Sequence, residues 1–93
     1  MECNKVIFSG HAVRRMFERS ISRTDVLNVI ASGKIIAHYP DDAPFPSYLM
    51  LSFIRNRAIH AVIGHDQENL TCYIVTAYPP DLLLWNADFE SRR

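Results

Sequence analysis

The sequence has only two cysteines, no net charge and no long apolar run. Each shortage excludes something. Cys3 and Cys72 are too few and too far apart for a disulfide framework, and no Cys-x-x-Cys spacing offers a zinc site. Cys72 stands in an apolar stretch, where a buried free thiol is the expected state. The opening Met1-Glu2-Cys3-Asn4-Lys5 is polar and lacks the apolar centre of a signal peptide. Unpaired thiols and that polar start lead to the expectation of a reduced, cytoplasmic compartment. No run of about 18 apolar residues is present to span a membrane. Ten Lys and Arg side chains balance ten Asp and Glu, so any grip on nucleic acid must come from a local basic patch. There is no glycine-rich phosphate loop, Ser-His-Asp pattern or HExxH motif.

Turning to what is there, 93 residues with 48% hydrophobic content suffice for a single domain over 1–93 with one core, and argue against disorder. Lys5 to Phe8 is short and apolar and predicts a first strand. Ser9 can cap a helix that ends near Ser20-Ile21. At 3.6 residues per turn Val13, Met16 and Phe17, with Ala12, make an apolar stripe for a core. His11, Arg15 and Arg19 fall on the other side, one turn apart, with Arg14 at the edge. Ser22 with Asp25 opens a second helix, and Gly33 can stop it.

Strands are then expected over Lys34 to Tyr39, Ser47 to Ile54, Ala58 to Gly64 and Leu70 to Tyr78. Three prolines between Pro40 and Pro46 exclude regular structure there and predict an ordered rim. Arg55-Asn56-Arg57 reads as a hairpin loop. Trp85 and Phe89, four apart in the tail, could share a helical turn, or the tail could be partly ordered. The fold class is α+β in the order β-α-α-β-β-β-β, with two N-terminal helices packed on an antiparallel sheet.

Several side chains could do chemistry. Arg14, Arg15 and Arg19 can clamp a phosphate but cannot act as bases. His11, His60 and Tyr78 can move protons. Period-two alternation puts Ala58, His60 and Val62 on one sheet face, and Cys72, Ile74, Thr76 and Tyr78 on one face of the last strand. Asp41, Asp42 and His38 could form a metal site, but the two aspartates more readily solvate their loop, so neither metal nor cofactor is assigned.

These residues carry a family resemblance across nearly the whole chain. Ser9-Gly10-His11-Ala12-Val13-Arg14-Arg15-Met16-Phe17-Glu18-Arg19, Asp25-Val26, Gly33-Lys34-Ile35-Ile36, Tyr39-Pro40-Asp41-Asp42, Pro46-Ser47-Tyr48-Leu49, Ile59-His60-Ala61-Val62 and Thr76-Ala77-Tyr78 resemble an uncharacterised family of short prokaryotic proteins, a domain of unknown function related to RelE and BrnT toxins. The resemblance implies a RelE-like sheet, a toxin–antitoxin setting with a small zinc-finger antitoxin as partner, and RNA or ribosome as target. It also implies metal-independent endoribonuclease activity. The catalytic candidates are His11, His60 and Tyr78, and the phosphate-binding candidates Arg14, Arg15 and Arg19. Net neutrality departs from the basic character of RelE-like ribonucleases. The alternative is a non-catalytic interaction module that pairs with a partner protein or as a homodimer.

Overall fold

The computed structural model describes residues 1–93. Its elements are β1 (Lys5–Phe8), α1 (Gly10–Glu18), α2 (Arg23–Ser32), β2 (Lys34–Tyr39), β3 (Ser47–Ile54), β4 (Arg57–Asp66) and β5 (Thr71–Tyr78). The class is α+β, with two helices and a five-stranded sheet in the order β1-β5-β4-β3-β2. Strands β2 to β5 form an antiparallel meander. The sheet as a whole is mixed rather than antiparallel, because β1 pairs parallel to β5, from Lys5 opposite Thr71 to Phe8 opposite Ile74. With four residues, β1 covers only the first half of the β5 edge. The chain then steps onto the sheet face, and α1 continues toward Ala77.

Helix α1 is pinned at both ends. The Ser9 hydroxyl accepts from the Ala12 N–H at 3.0 Å and lies 3.3 Å from the Ile74 carbonyl, to which it donates. Arg19 donates to the Ala77 carbonyl at 3.2 Å. Between these anchors the helix is rolled relative to the expected stripe. Ala12 and Met16 are buried, whereas Val13 is 37% and Phe17 87% exposed. Small Ala12 and Ala77 both lie in the core, so the helix rests its narrow side on β5 and turns Phe17 outward. Accordingly, Phe17→Ala should change stability by less than about 0.5 kcal/mol. Met16→Ala should cost about 2–5 kcal/mol. Urea unfolding of the two variants checks this, and the reverse ranking would contradict the placement of the helix.

Helix α2 begins with a complete capping box. The Asp25 N–H donates to the Ser22 hydroxyl, and the Ser22 N–H donates to the Asp25 carboxylate, both at 3.0 Å. Asp25 is almost fully buried, and Arg55 reaches it at 3.1 Å. Burial pushes its carboxyl upward, but the Ser22 bonds and the Arg55 guanidinium outweigh that and leave the pKa below its ordinary value. A lowered native pKa stabilises the fold above the unfolded value of about 3.9, and that contribution is lost as pH falls through the native value. Asp25→Asn should therefore cost about 1 kcal/mol at pH 7, mostly through the cap, because Arg55 is largely exposed. The gap between wild type and variant should close below about pH 4. A gap that persists in acid-unfolding curves would count against this role.

The core lies between the helices and one sheet face, where Val26, Val29, Met50, Ile59, Ile63 and Ile74 are buried together. Cys3 and Cys72 are joined there as a disulfide, with Cα atoms 5.6 Å apart. This corrects the expectation of free thiols. The pairing of β1 with β5 brings the two ends of the sequence separation together, which linear spacing does not reveal. The expectation of a reduced compartment thereby loses its support from unpaired thiols. No helix is long and apolar enough to cross a membrane.

The outer sheet face carries Leu49 and Leu51 from β3 and Ala58 and His60 from β4, all buried. The segment 79–93 covers them as an irregular strap, neither helical nor loose. Trp85 is buried, bridges to Arg92, and Glu90 forms an ion pair with Lys34. The expected alternation along β5 also breaks. Val62 opposes Thr76 but Ile63 opposes Ile74, so Val75 is an extra, bulged residue. Cys72, Ile74 and Ala77 thus face the core, and Tyr78 turns to the outer face beside His60.

Candidate functional site

His60 and Tyr78 sit directly opposite each other on β4 and β5. The ring centroids are 5.4 Å apart and edge to face. Tyr78 Oη lies 3.4 Å from His60 Nδ1, and the opposite ring nitrogen, Nε2, lies 2.7 Å from the Phe89 carbonyl. A carbonyl can only accept, so Nε2 carries the proton and Nδ1 presents a lone pair to the Tyr78 hydroxyl. The Trp85 ring stands against His60 at 4.6 Å, nearly perpendicular. His60 has no exposed surface, and Tyr78 is half-buried.

Electrostatics reinforce this protonation state. Burial lowers the His60 pKa, and the Phe89 carbonyl only partly opposes that. Burial raises the Tyr78 pKa, with Tyr39 adding to it and the Arg92 and Arg19 guanidinium groups pulling it back. A neutral imidazole therefore faces a protonated phenol, with two cations close by. Arg92 is held over the Trp85 ring at 5.2 Å, a cation–π contact. Arg19 is held by the Ala77 carbonyl next to Tyr78. Chemically the arrangement can serve as a proton relay, in which the phenol accepts a proton from an outer group while passing its own to Nδ1.

The six candidate residues divide. His60, Tyr78 and Arg19 come together. His11, Arg14 and Arg15 do not join them: they are exposed on α1, and the sheet lies between that helix and the His60 face. Arg15 instead meets Glu18 at 3.4 Å, a solvent-exposed pair of little energetic weight. His38 stacks on Tyr48 at 4.3 Å and Asp42 accepts a hydrogen bond from Ser47, so two of the three residues considered for a metal have other partners. Arg92, Trp85, Tyr39 and the Phe89 carbonyl belong to the site although sequence reasoning did not assign them to it. A signal was available. The outer positions Leu49, Leu51, Ala58 and His60 need cover, and both helices are already committed to the other face.

The family model for a Domain of unknown function, DUF4258, matches residues 8–79. The chain belongs to this family. The match takes in His60, Tyr78 and Arg19 and ends at the first residue of the strap. Comparison with curated proteins and with solved structures returns no match.

Proposed function

We propose that this DUF4258 domain cleaves RNA without a metal, as the toxin of a toxin–antitoxin pair with a RelE-like or BrnT-like arrangement. One observation carries the reading: a neutral histidine, its tautomer set by a carbonyl, aims its free nitrogen at a tyrosine hydroxyl, with Arg19 held on the adjacent Ala77 carbonyl and Arg92 over the Trp85 ring that packs on His60. RNA carries its own nucleophile. The Tyr78 oxygen takes the 2′-hydroxyl proton as it passes its own proton to His60 Nδ1. The 2′-oxygen then bonds to phosphorus, the bond to the 5′-oxygen breaks, and that oxygen takes a proton from water. The proton on His60 returns to solvent. Arg19 and Arg92 stabilise the extra negative charge on the phosphorane. His60 never touches the substrate in this scheme, so its complete burial is compatible with a role behind Tyr78. The test is induced expression in bacteria. Wild type should arrest growth and cut transcripts, and a small zinc-finger partner protein should relieve both. Normal growth and intact transcripts, with soluble folded protein present, would sink the proposal.

A second reading has its own support. Phe17 is 87% exposed, one helical turn from part-exposed Val13. Apolar side chains displayed on a helix suit a protein partner or a second copy of the chain. This reading predicts that a polar substitution at Phe17 abolishes complex formation and leaves any RNA cleavage intact.

A further inference from the structure

A cavity of about 450 Å³ opens on the outer sheet face, between the proline-rich loop and strands β4 and β5. We propose that it is a nucleobase pocket selective for guanine; the proposal deepens the RNA-cleavage reading and rests on it for the source of the base. Phe45 and Tyr73 form one aromatic wall, their rings stacked at 5.3 Å and 7° from parallel. Val62 and Gly64 make the apolar floor, and Gly64 contributes no side chain to fill it. The only ionised group lining the cavity is Asp42, whose carboxylate is oriented by the buried Ser47 hydroxyl donating to Oδ2.

This lining selects its ligand by exclusion. No cation faces the cavity, so a phosphate is repelled. A purely apolar ligand would strip water from the Asp42 carboxylate without replacing its hydrogen bonds. A flat heterocycle with donors on one edge satisfies both walls: it stacks on the aromatic pair and donates to the carboxylate. Guanine presents two adjacent donors, the ring N–H and the amino group. Adenine and cytosine each place a lone-pair nitrogen beside their amino group, which would face the carboxylate. Position supports the link to the relay. Val62 is two residues along β4 from His60 on the same face, about 7 Å at ~3.4 Å per residue. That is close to the reach from a nucleotide's phosphate to its base.

Calorimetric titration of the full chain with guanosine, adenosine and cytidine monophosphates tests the pocket. Guanosine monophosphate should bind about tenfold or more tighter than the other two. Asp42→Asn keeps an oxygen for Ser47 to donate to, so the loop is retained, but the guanine preference should vanish. Gly64→Val adds a Cβ at ordinary contact distance from Tyr73, 3.8 Å, and should abolish binding by filling the floor while the far-ultraviolet circular dichroism stays that of the wild type. Equal binding of all three nucleotides, or binding unchanged in both variants, would overturn the proposal. A short RNA binding tighter than the free nucleotide would identify RNA as the source of the base; no gain from the RNA would identify a free nucleotide. Guanine-selective binding without RNA cleavage would leave the pocket standing and remove the nuclease. Cleavage indifferent to guanine, with no nucleotide binding, would do the reverse.

Discussion

Replacing Cys3 and Cys72 together by alanine is expected to lower the stability of the fold by about 4 kcal/mol. The bond closes a sequence separation of 69 residues, so it removes a large share of the conformational freedom of the unfolded chain. Its place magnifies the consequence. The β1 strand has only four residues and is held at the sheet edge by the Asn4 and Lys5 N–H groups, which both donate to the Leu70 carbonyl. Without the covalent link, the chain ahead of β1 is free to lift away from β5. A loss of this size is a large fraction of the roughly 5–15 kcal/mol that folded proteins hold in reserve. Urea unfolding with and without dithiothreitol checks it. Reductant should destabilise the wild type and leave the double variant unchanged, and a wild type indifferent to reductant would contradict the bond.

The largest functional effects are expected at Tyr78 and His60. Tyr78→Phe keeps the ring against His60 and removes only the hydroxyl, and it should reduce RNA cleavage by about a hundredfold or more. His60→Gln should do the same, since Gln supplies no imidazole lone pair behind the phenol. Arg15→Lys, by contrast, should have little effect, because Arg15 stands on α1 with the sheet between it and the relay. The pH profile carries a sign. His60 works as the acceptor only when neutral, and burial holds its pKa below the ordinary 6.5. Cleavage should therefore stay level through neutral pH and fall only at pH values below the ordinary histidine pKa of about 6.5. A rate that declines as pH drops from 8 to 7 would contradict a base held below the ordinary histidine value.

Local patterns in the sequence are strong enough to define the elements. The capping residues Ser9 and Ser22, the three prolines and the runs of β-branched residues each act within a few positions. They place β1, β2 and β3 at their observed bounds, and α1 ends only slightly early, at Glu18. What they do not carry is long-range pairing. The parallel alliance of β1 with β5 also decides the Cys3–Cys72 bond, and neither follows from periodicity. Nor does the roll of α1: Val13, Met16 and Phe17 form a fair stripe, but the tight fit of Ala12 over β5 overrides it. The bulge at Val75 reverses the faces beyond it, so strict alternation pairs Tyr78 with the wrong neighbours although the strand itself is right. The candidate site was half legible for the same reason. His60, Tyr78 and Arg19 were visible as residue types able to move protons or hold phosphate. The roles of Arg92 and the Phe89 carbonyl depend on the strap folding back over the outer face, a tertiary event with no local signature.

The most direct measurement is the chemical identity of the ends left on RNA by the purified protein. A relay that activates the 2′-hydroxyl must leave a 2′,3′-cyclic phosphate on one fragment and a free 5′-hydroxyl on the other. Wild type should produce those ends in the presence of a metal chelator. RNA carrying a 2′-deoxy nucleotide at the scissile position should stay intact, and Tyr78→Phe should cut the all-ribose substrate more slowly, by about a hundredfold or more. Intact RNA after incubation with folded wild-type protein and ribosomes would contradict the account, as would cleavage of the 2′-deoxy substrate at the same site.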